Sequence, residues 1–108
     1  MEQKIAIREL GKNTAYISAS EIEYVKALRA YCVVHFKNNT HKTLSLSLKE
    51  FCAQLPSSLF CQVHRSFVIN IEEIGWYDNH RFLILKKGEH IPVSPMGKTA
   101  LGQAGFIL

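Results

Sequence analysis

Short runs in which apolar and polar residues alternate recur along this chain. Turn residues separate them at spacings of roughly 8–12 positions, a rhythm that predicts a mainly β domain. Ile5 and Ile7 alternate in KIAIREL, Gly11-Lys12-Asn13 makes a turn, and TAYISA returns as a second strand. EIEYVKA and YCVVHF are two more strands, broken by the short Leu28-Arg29-Ala30. Lys37-Asn38-Asn39 reads as a turn into HKTLSLS, so YCVVHF and HKTLSLS are predicted to form a hairpin. Further strands are expected in CQVHRSFVIN, EIGWYD, RFLILK and HIPVS, with turns at Asp78-Asn79 and Lys87-Gly88.

One helix is well signed. Ser47-Leu48-Lys49-Glu50 is a capping box, in which the serine oxygen accepts from the backbone of Glu50 and the Glu50 carboxylate reaches back. Leu48, Phe51, Cys52 and Leu55 follow at helical spacing, and Pro56 ends the segment. About two turns of helix do not stand alone in water, so this one is expected to pack on a sheet. The closing GKTALGQAGFIL is the least specified stretch, and its three glycines argue against a long helix.

One residue breaks the pattern. In CQVHRSFVIN, alternation puts Cys61, Val63, Phe67 and Ile69 on one face, and Arg65 shares their parity. An unbroken strand would drive its guanidinium into the core, at a cost of roughly several kcal/mol if unpaired. A bulge or turn at His64-Arg65-Ser66 would eject Arg65 and let Phe67 and Ile69 resume the core. The alternative is an arginine paired with a carboxylate such as Glu72 or Glu23.

Composition narrows the class. The 108 residues are 47% hydrophobic and 20% charged, the balance of a soluble globular chain, and are read as one domain spanning 1–108. No apolar run approaches the roughly 20 residues of a membrane span. Glu2-Gln3-Lys4 follows Met1 with no apolar stretch behind it, so no signal peptide is expected. Three cysteines, Cys32, Cys52 and Cys61, lie in apolar settings and suit a reducing cytoplasm as small buried hydrophobes.

The net charge of +4 is unevenly spread. No acid lies between Tyr24 and Lys49, where Lys26, Arg29, Lys37, Lys42 and Lys49 all occur; a second acid-free span carries Arg65 and a third Lys98. If those spans converge they make a positive face, for which a polyanion is the natural partner. If they do not, the lysines are solvated surface, as Lys37 and Lys42 are expected to be. Catalysis finds little support. Asp78 is the lone aspartate, there is no Gly-rich phosphate loop, and no Cys-x-x-Cys or His-x-x-x-His spacing occurs. Cys61-x-x-His64 without a second pair is a weak metal signal. Neither an enzyme nor a metal or organic cofactor is expected.

With these residues in hand, CQVHRSFVIN, preceded by Phe60 and followed by Ile71–Ile74, resembles the signature of the LytTR DNA-binding domains, the output modules of many bacterial response regulators. EIEYVKALRAY resembles the family's early strand-loop-strand, SLKEFCAQLP its single short helix, and HIPVSPMGK its final strand and loop, so the likeness runs from about residue 8 to 101. It implies small antiparallel sheets with one short helix and no helix-turn-helix. Loops would enter successive major grooves on one face of the duplex, with two copies on tandem half-sites as a homodimer. The chain departs from the family where Gln62 replaces a frequent arginine, where Lys26 replaces a common glutamate, and where Val93-Ser94-Pro95-Met96 replaces Val-Ser-Arg-Arg.

The expected DNA-binding residues are Arg29, Ala30, His64, Arg65, Ser66, Met96 and Lys98. Arg65 can bond a phosphate or fork onto guanine. Ser66 donates to a phosphate or caps the bend. His64 bonds backbone through its ring or touches phosphate. Arg29 stands at the tip of the loop that the resemblance places in a major groove, with Ala30 able to touch a thymine methyl. Met96 lies in the final loop and Lys98 meets a phosphate. Trp76 and Tyr77 are expected to pack; exposed, they would instead suggest a platform for single strands. The reading is a cytoplasmic, sequence-specific duplex-DNA-binding output domain without membrane contact, and without a receiver domain in these residues. Its rivals are an RNA or single-strand binder and a protein-interaction β domain.

Overall fold

Alternation becomes pairing almost wherever it was expected. In a computed structural model of the chain, which describes residues 4–78 and 82–106, β1 (Lys4–Arg8) and β2 (Thr14–Ser18) form an antiparallel hairpin with Ile5 opposite Ile17. Strands β3 (Ile22–Leu28), β4 (Tyr31–Phe36), β5 (His41–Leu44), β6 (Phe60–His64) and β7 (Phe67–Asn70) make a five-stranded antiparallel sheet in the order β5-β4-β3-β7-β6. A third sheet, order β10-β9-β8, holds β8 (Ile74–Asp78), β9 (Phe82–Leu85) and β10 (His90–Pro92). The chain is thus mainly β, in three small antiparallel sheets. The expected Asp78-Asn79 turn reaches outside the described residues.

The five-stranded sheet is buried on both faces because side-chain parity feeds two cores. Val25, Val34 and Val68 point to the side closed by the β1–β2 hairpin and by helix α1 (Leu48–Cys52), whose Phe51 is fully buried. Tyr24, Val63 and Ile69 point to the other, closed by Leu83, Leu85 and Ile91 of the third sheet and by Leu101. Helix α1 starts as its sequence predicts: Ser47 Oγ accepts from the Glu50 amide at 3.1 Å, and Glu50 Oε1 accepts from the Ser47 amide at 3.0 Å. Buried Asn70 ties β7 to β3 by donating from Nδ2 to the Ile22 carbonyl at 2.9 Å, while its Oδ1 accepts from the Glu72 amide.

Two expectations need correction. The final segment is not a loop but a second helix, α2 (Pro95–Gln103). Ser94 caps it by accepting from the Gly97 amide at 3.0 Å, and Pro95 occupies its first turn. At the other end Gly105, with φ of 100°, lets the Phe106 amide bond the Leu101 carbonyl and its own amide bond that of Gly102. Strong caps at both ends and the burial of Leu101 outweigh the helix-weakening glycines. Trp76 is the second correction: Tyr77 packs in the core as expected, but Trp76 is 58% exposed. Gly75 is the extra residue of a bulge in β8, which shifts the pairing by one and leaves Trp76 opposite Ile84, on the parity that points away from Leu83 and Leu85.

Candidate nucleic-acid interface

Two hairpin tips meet at one edge of the five-stranded sheet. β3 ends in Arg29-Ala30 before β4, and β6 ends in Arg65-Ser66 before β7. β3 and β7 are antiparallel neighbours with Lys26 opposite Phe67, and the Ala27 amide extends the ladder to the Ser66 carbonyl at 2.8 Å. That register sets the two tips side by side. The N-terminus of α2 joins them, because the Ser94 amide bonds the Val63 carbonyl at 2.9 Å. Gly97 is what permits the approach: a Cβ there would lie 1.8 Å from the Val63 oxygen. A mostly apolar groove of about 600 Å³ results, with His64, Arg65, Ser94, Pro95 and Met96 among its walls.

The bend expected at His64-Arg65-Ser66 is present. Val63 is an extra residue in β6, since Gln62 pairs with Val68 and His64 with Phe67, and the chain then turns. Arg65 is exposed and takes part in no ion pair among the described residues, with neither Glu72 nor Glu23; Glu23 faces Lys87 instead. His64 closes the turn from inside. Its Nδ1 accepts from the Ser66 amide at 3.1 Å, which places the ring proton on Nε2, and its ring meets Phe67 edge-on at 5.9 Å. The backbone amide and carbonyl of Ser66 are thereby both bonded.

Arg29 is exposed and has a φ of 55°, in the left-handed region that costs a non-glycine residue roughly 1 kcal/mol. Ala30 beside it is exposed, and Met96 is 83% exposed at the start of α2. Lys98 stands apart from the groove on another side of α2, its Nζ 5.9 Å from the centre of the Tyr77 ring. Lys26, absent from the expected set, belongs on this edge. It is exposed, opposite Phe67, with Nζ 5.6 Å from that ring's centre. Its parity with Tyr24 and Leu28, a few residues before the turn, was the available signal.

The cations of this edge lie outside the ion pairs that join described residues. Four ion pairs join described residues: Lys12 and Lys42 each to Glu9, Lys37 to Glu73, and Lys87 to Glu23. Lys37 and Lys42 are therefore partnered rather than merely solvated. None of the four includes Lys26, Arg29, Arg65 or Lys98. Chemistry by cysteine is disfavoured, since burial pushes the Cys32 thiol up to about 11, with Glu50 adding to the effect, and burial also raises Cys52 and Cys61. Among the described residues no three His, Cys, Asp or Glu side chains gather as metal ligands, and no helix is long and apolar enough to cross a membrane.

Two strand tips and a helix end that bring Lys26, Arg29 and Arg65 to one edge suit a polyanionic partner, and no helix-turn-helix is among the described elements. The sequence model of the LytTr DNA-binding domain matches residues 12–105, and this chain belongs to that family. It is 34% identical to the sensory transduction protein LytT of Bacillus subtilis over 98 residues, covering 86% of this chain and 39% of that protein. The transcriptional regulatory protein YpdB of Escherichia coli is 31% identical over 80 residues, covering 69% of this chain and 32% of YpdB. The LytTr DNA-binding domain of a response regulator from Bacillus cereus superposes with a TM-score of 0.77 at 25% identity, covering 98% of this chain and 100% of that one. The chain thus spans well under half the length of the two full-length relatives.

Proposed function

We propose that this domain binds duplex DNA sequence-specifically, as the output module of a cytoplasmic transcriptional regulator of the two-component type. The observation that carries the reading is the convergence of the Arg29-Ala30 tip, the Arg65-Ser66 tip and the start of α2, with Lys26, Arg29 and Arg65 there outside the ion pairs among the described residues. Adjacent tips on one sheet edge are suited to reaching into the duplex from one side. Arg65 and Lys98 neutralise phosphates, with Ser66 and Lys26 beside them. Arg29, on a two-residue tip between paired Leu28 and Tyr31, has a short anchor and a long reach, which a bidentate guanine contact requires. Met96 and Ala30 supply apolar contacts, and His64 holds the Arg65 turn. A second copy on an adjacent half-site completes the binding unit. The role is binding, not catalysis.

The test is duplex affinity against salt. About four to six phosphate contacts per domain give a log–log slope of about −4 to −5. Arg65→Ala weakens binding by about 1.5–3 kcal/mol while leaving the melting temperature unchanged. A slope near zero sinks the reading. Exposed Trp76, on the described surface with exposed Tyr16, Tyr31 and Phe82, is the kind of feature that favours single strands; competition between duplex and single-strand oligonucleotides, repeated with Trp76→Ala, decides between the two.

A further inference from the structure

At the end of the five-stranded sheet away from the Arg29 and Arg65 tips, a cleft of about 330 Å³ opens between the β4–β5 turn and the β9–β10 turn. No residue of this cleft has a part in the DNA reading. Its floor includes Glu23, Tyr24 and His35, and its walls include Asn39, Lys87 and Glu89. Glu23 is there because it is the extra residue of a bulge: Ile22 pairs with Phe36 and Tyr24 with His35, leaving Glu23 without a cross-strand partner. Bulges re-aim a side chain, and this one aims a carboxylate into the cleft.

That carboxylate is under-satisfied. Glu23 is 6% exposed; among the described residues its Oε2 is buried without a hydrogen-bond partner, and its Oε1 has Lys87 Nζ at 3.9 Å as its ion-pair neighbour. The Lys87 ammonium is held elsewhere, donating to the Lys37 carbonyl. A buried carboxylate oxygen left in this state calls for an N–H donor. On the rim, Glu89 accepts the Tyr24 hydroxyl at 3.3 Å. With Glu23 ionised, two carboxylates face one ammonium and a His35 whose pKa burial lowers; burial raises the Glu23 pKa, Lys87 opposes this and Glu73 and Glu89 add to it, so a bound cation would favour the charged carboxylate. Tyr24 and His35, which both line the cleft, stack with centroids 4.3 Å apart and planes 9° from parallel, and His41 lies beside the His35 ring at 5.7 Å.

We propose that this cleft is a binding site for a guanidinium group on a slim alkyl stem. The planar cation would donate to Glu23 Oε2 and balance the residual charge, with further donors in its fork left for Glu89 on the rim, a geometry that a compact ammonium lacks. Its source is either a free alkylguanidine or an arginine side chain of a protein segment; both present the same chemistry.

The experiment is a ¹H–¹⁵N titration of the 108-residue chain at constant ionic strength, with butylguanidinium in one arm and blocked Gly-Arg-Gly in the other. The expected result is a saturable shift confined to amides around Glu23, His35 and Glu89. Glu23→Gln should weaken it roughly tenfold, as loss of a charged hydrogen bond would. Lys87→Met should tighten it, because the competing ammonium is gone and Glu23 remains. Saturation by butylguanidinium alone assigns the site to a small cation, and saturation by both assigns it to an arginine side chain. No saturable shift, a response equal to that of sodium chloride, or an unchanged response in Glu23→Gln overturns the proposal. DNA binding is not the readout, so the two proposals fail independently.

Discussion

His64 is the residue on which the presentation of Arg65 most depends. In His64→Ala the Ser66 amide loses its acceptor and Phe67 loses an aromatic edge. An unmet amide in a half-buried turn costs about 1 kcal/mol, and the ring contact adds about 0.5–1 kcal/mol. The sum lowers the melting temperature by roughly 5–10 °C for a domain of this size. Freed of its brace, the turn no longer holds Arg65 in one place, and duplex affinity should fall about tenfold, or 1.4 kcal/mol. The structure itself suggests the rescue. Asn38 and Asn70 use Oδ1 to accept the amide two residues on, from Thr40 at 3.1 Å and Glu72 at 2.9 Å, the same i to i+2 bond that His64 makes through Nδ1. His64→Asn should therefore restore the turn, most of the affinity and part of the stability. Fluorescence anisotropy with a duplex site, alongside thermal melts of the three proteins, is the assay. If His64→Asn melts well but binds as poorly as His64→Ala, His64 touches DNA through Nε2 and the bracing argument is wrong.

Other outcomes bear on the same edge and on the core. Arg29→Gly should raise stability by about 0.5–1 kcal/mol by relieving the left-handed backbone, yet relax base preference at one or two positions; a selection from random duplexes reads the second effect and a melt the first. Lys98→Ala should weaken all sites nearly equally and reduce the salt slope by about 1, checked by repeating the salt series. Gly97→Ala forces a methyl into the Val63 carbonyl, so α2 must lift from β6, at a cost of about 1–3 kcal/mol with loss of duplex affinity, measured by denaturant titration and anisotropy. His35, held neutral by burial, has a folded pKa below its ordinary 6.5. Its contribution is full above 6.5 and is lost as pH falls from there through the depressed value, so His35→Phe should flatten the melting-temperature profile in that window.

What the sequence determined was chemistry that acts over a few residues. Hairpins, the capping box at Ser47–Glu50 and the break at Arg65 were legible because turn residues, caps and side-chain parity act through neighbouring atoms. The expulsion of Arg65 was readable for the same reason: a lone charge on an apolar parity leaves the chain few alternatives. Helix α2 was not expected, because its interior glycines argue against a helix; the caps at Ser94 and Gly105 and the packing of Leu101 and Gly97 on distant strands decided otherwise. Tertiary structure alone decided that residues 26, 29, 65 and 96 share an edge, since that follows from the β3–β7 register and from the Ser94 bond to Val63. It also decided where Glu23, Val63 and Gly75 become bulges, re-aiming Glu23 into a cleft and leaving Trp76 exposed. Bulges and register belong to pairs of strands, so no single stretch of sequence carries them.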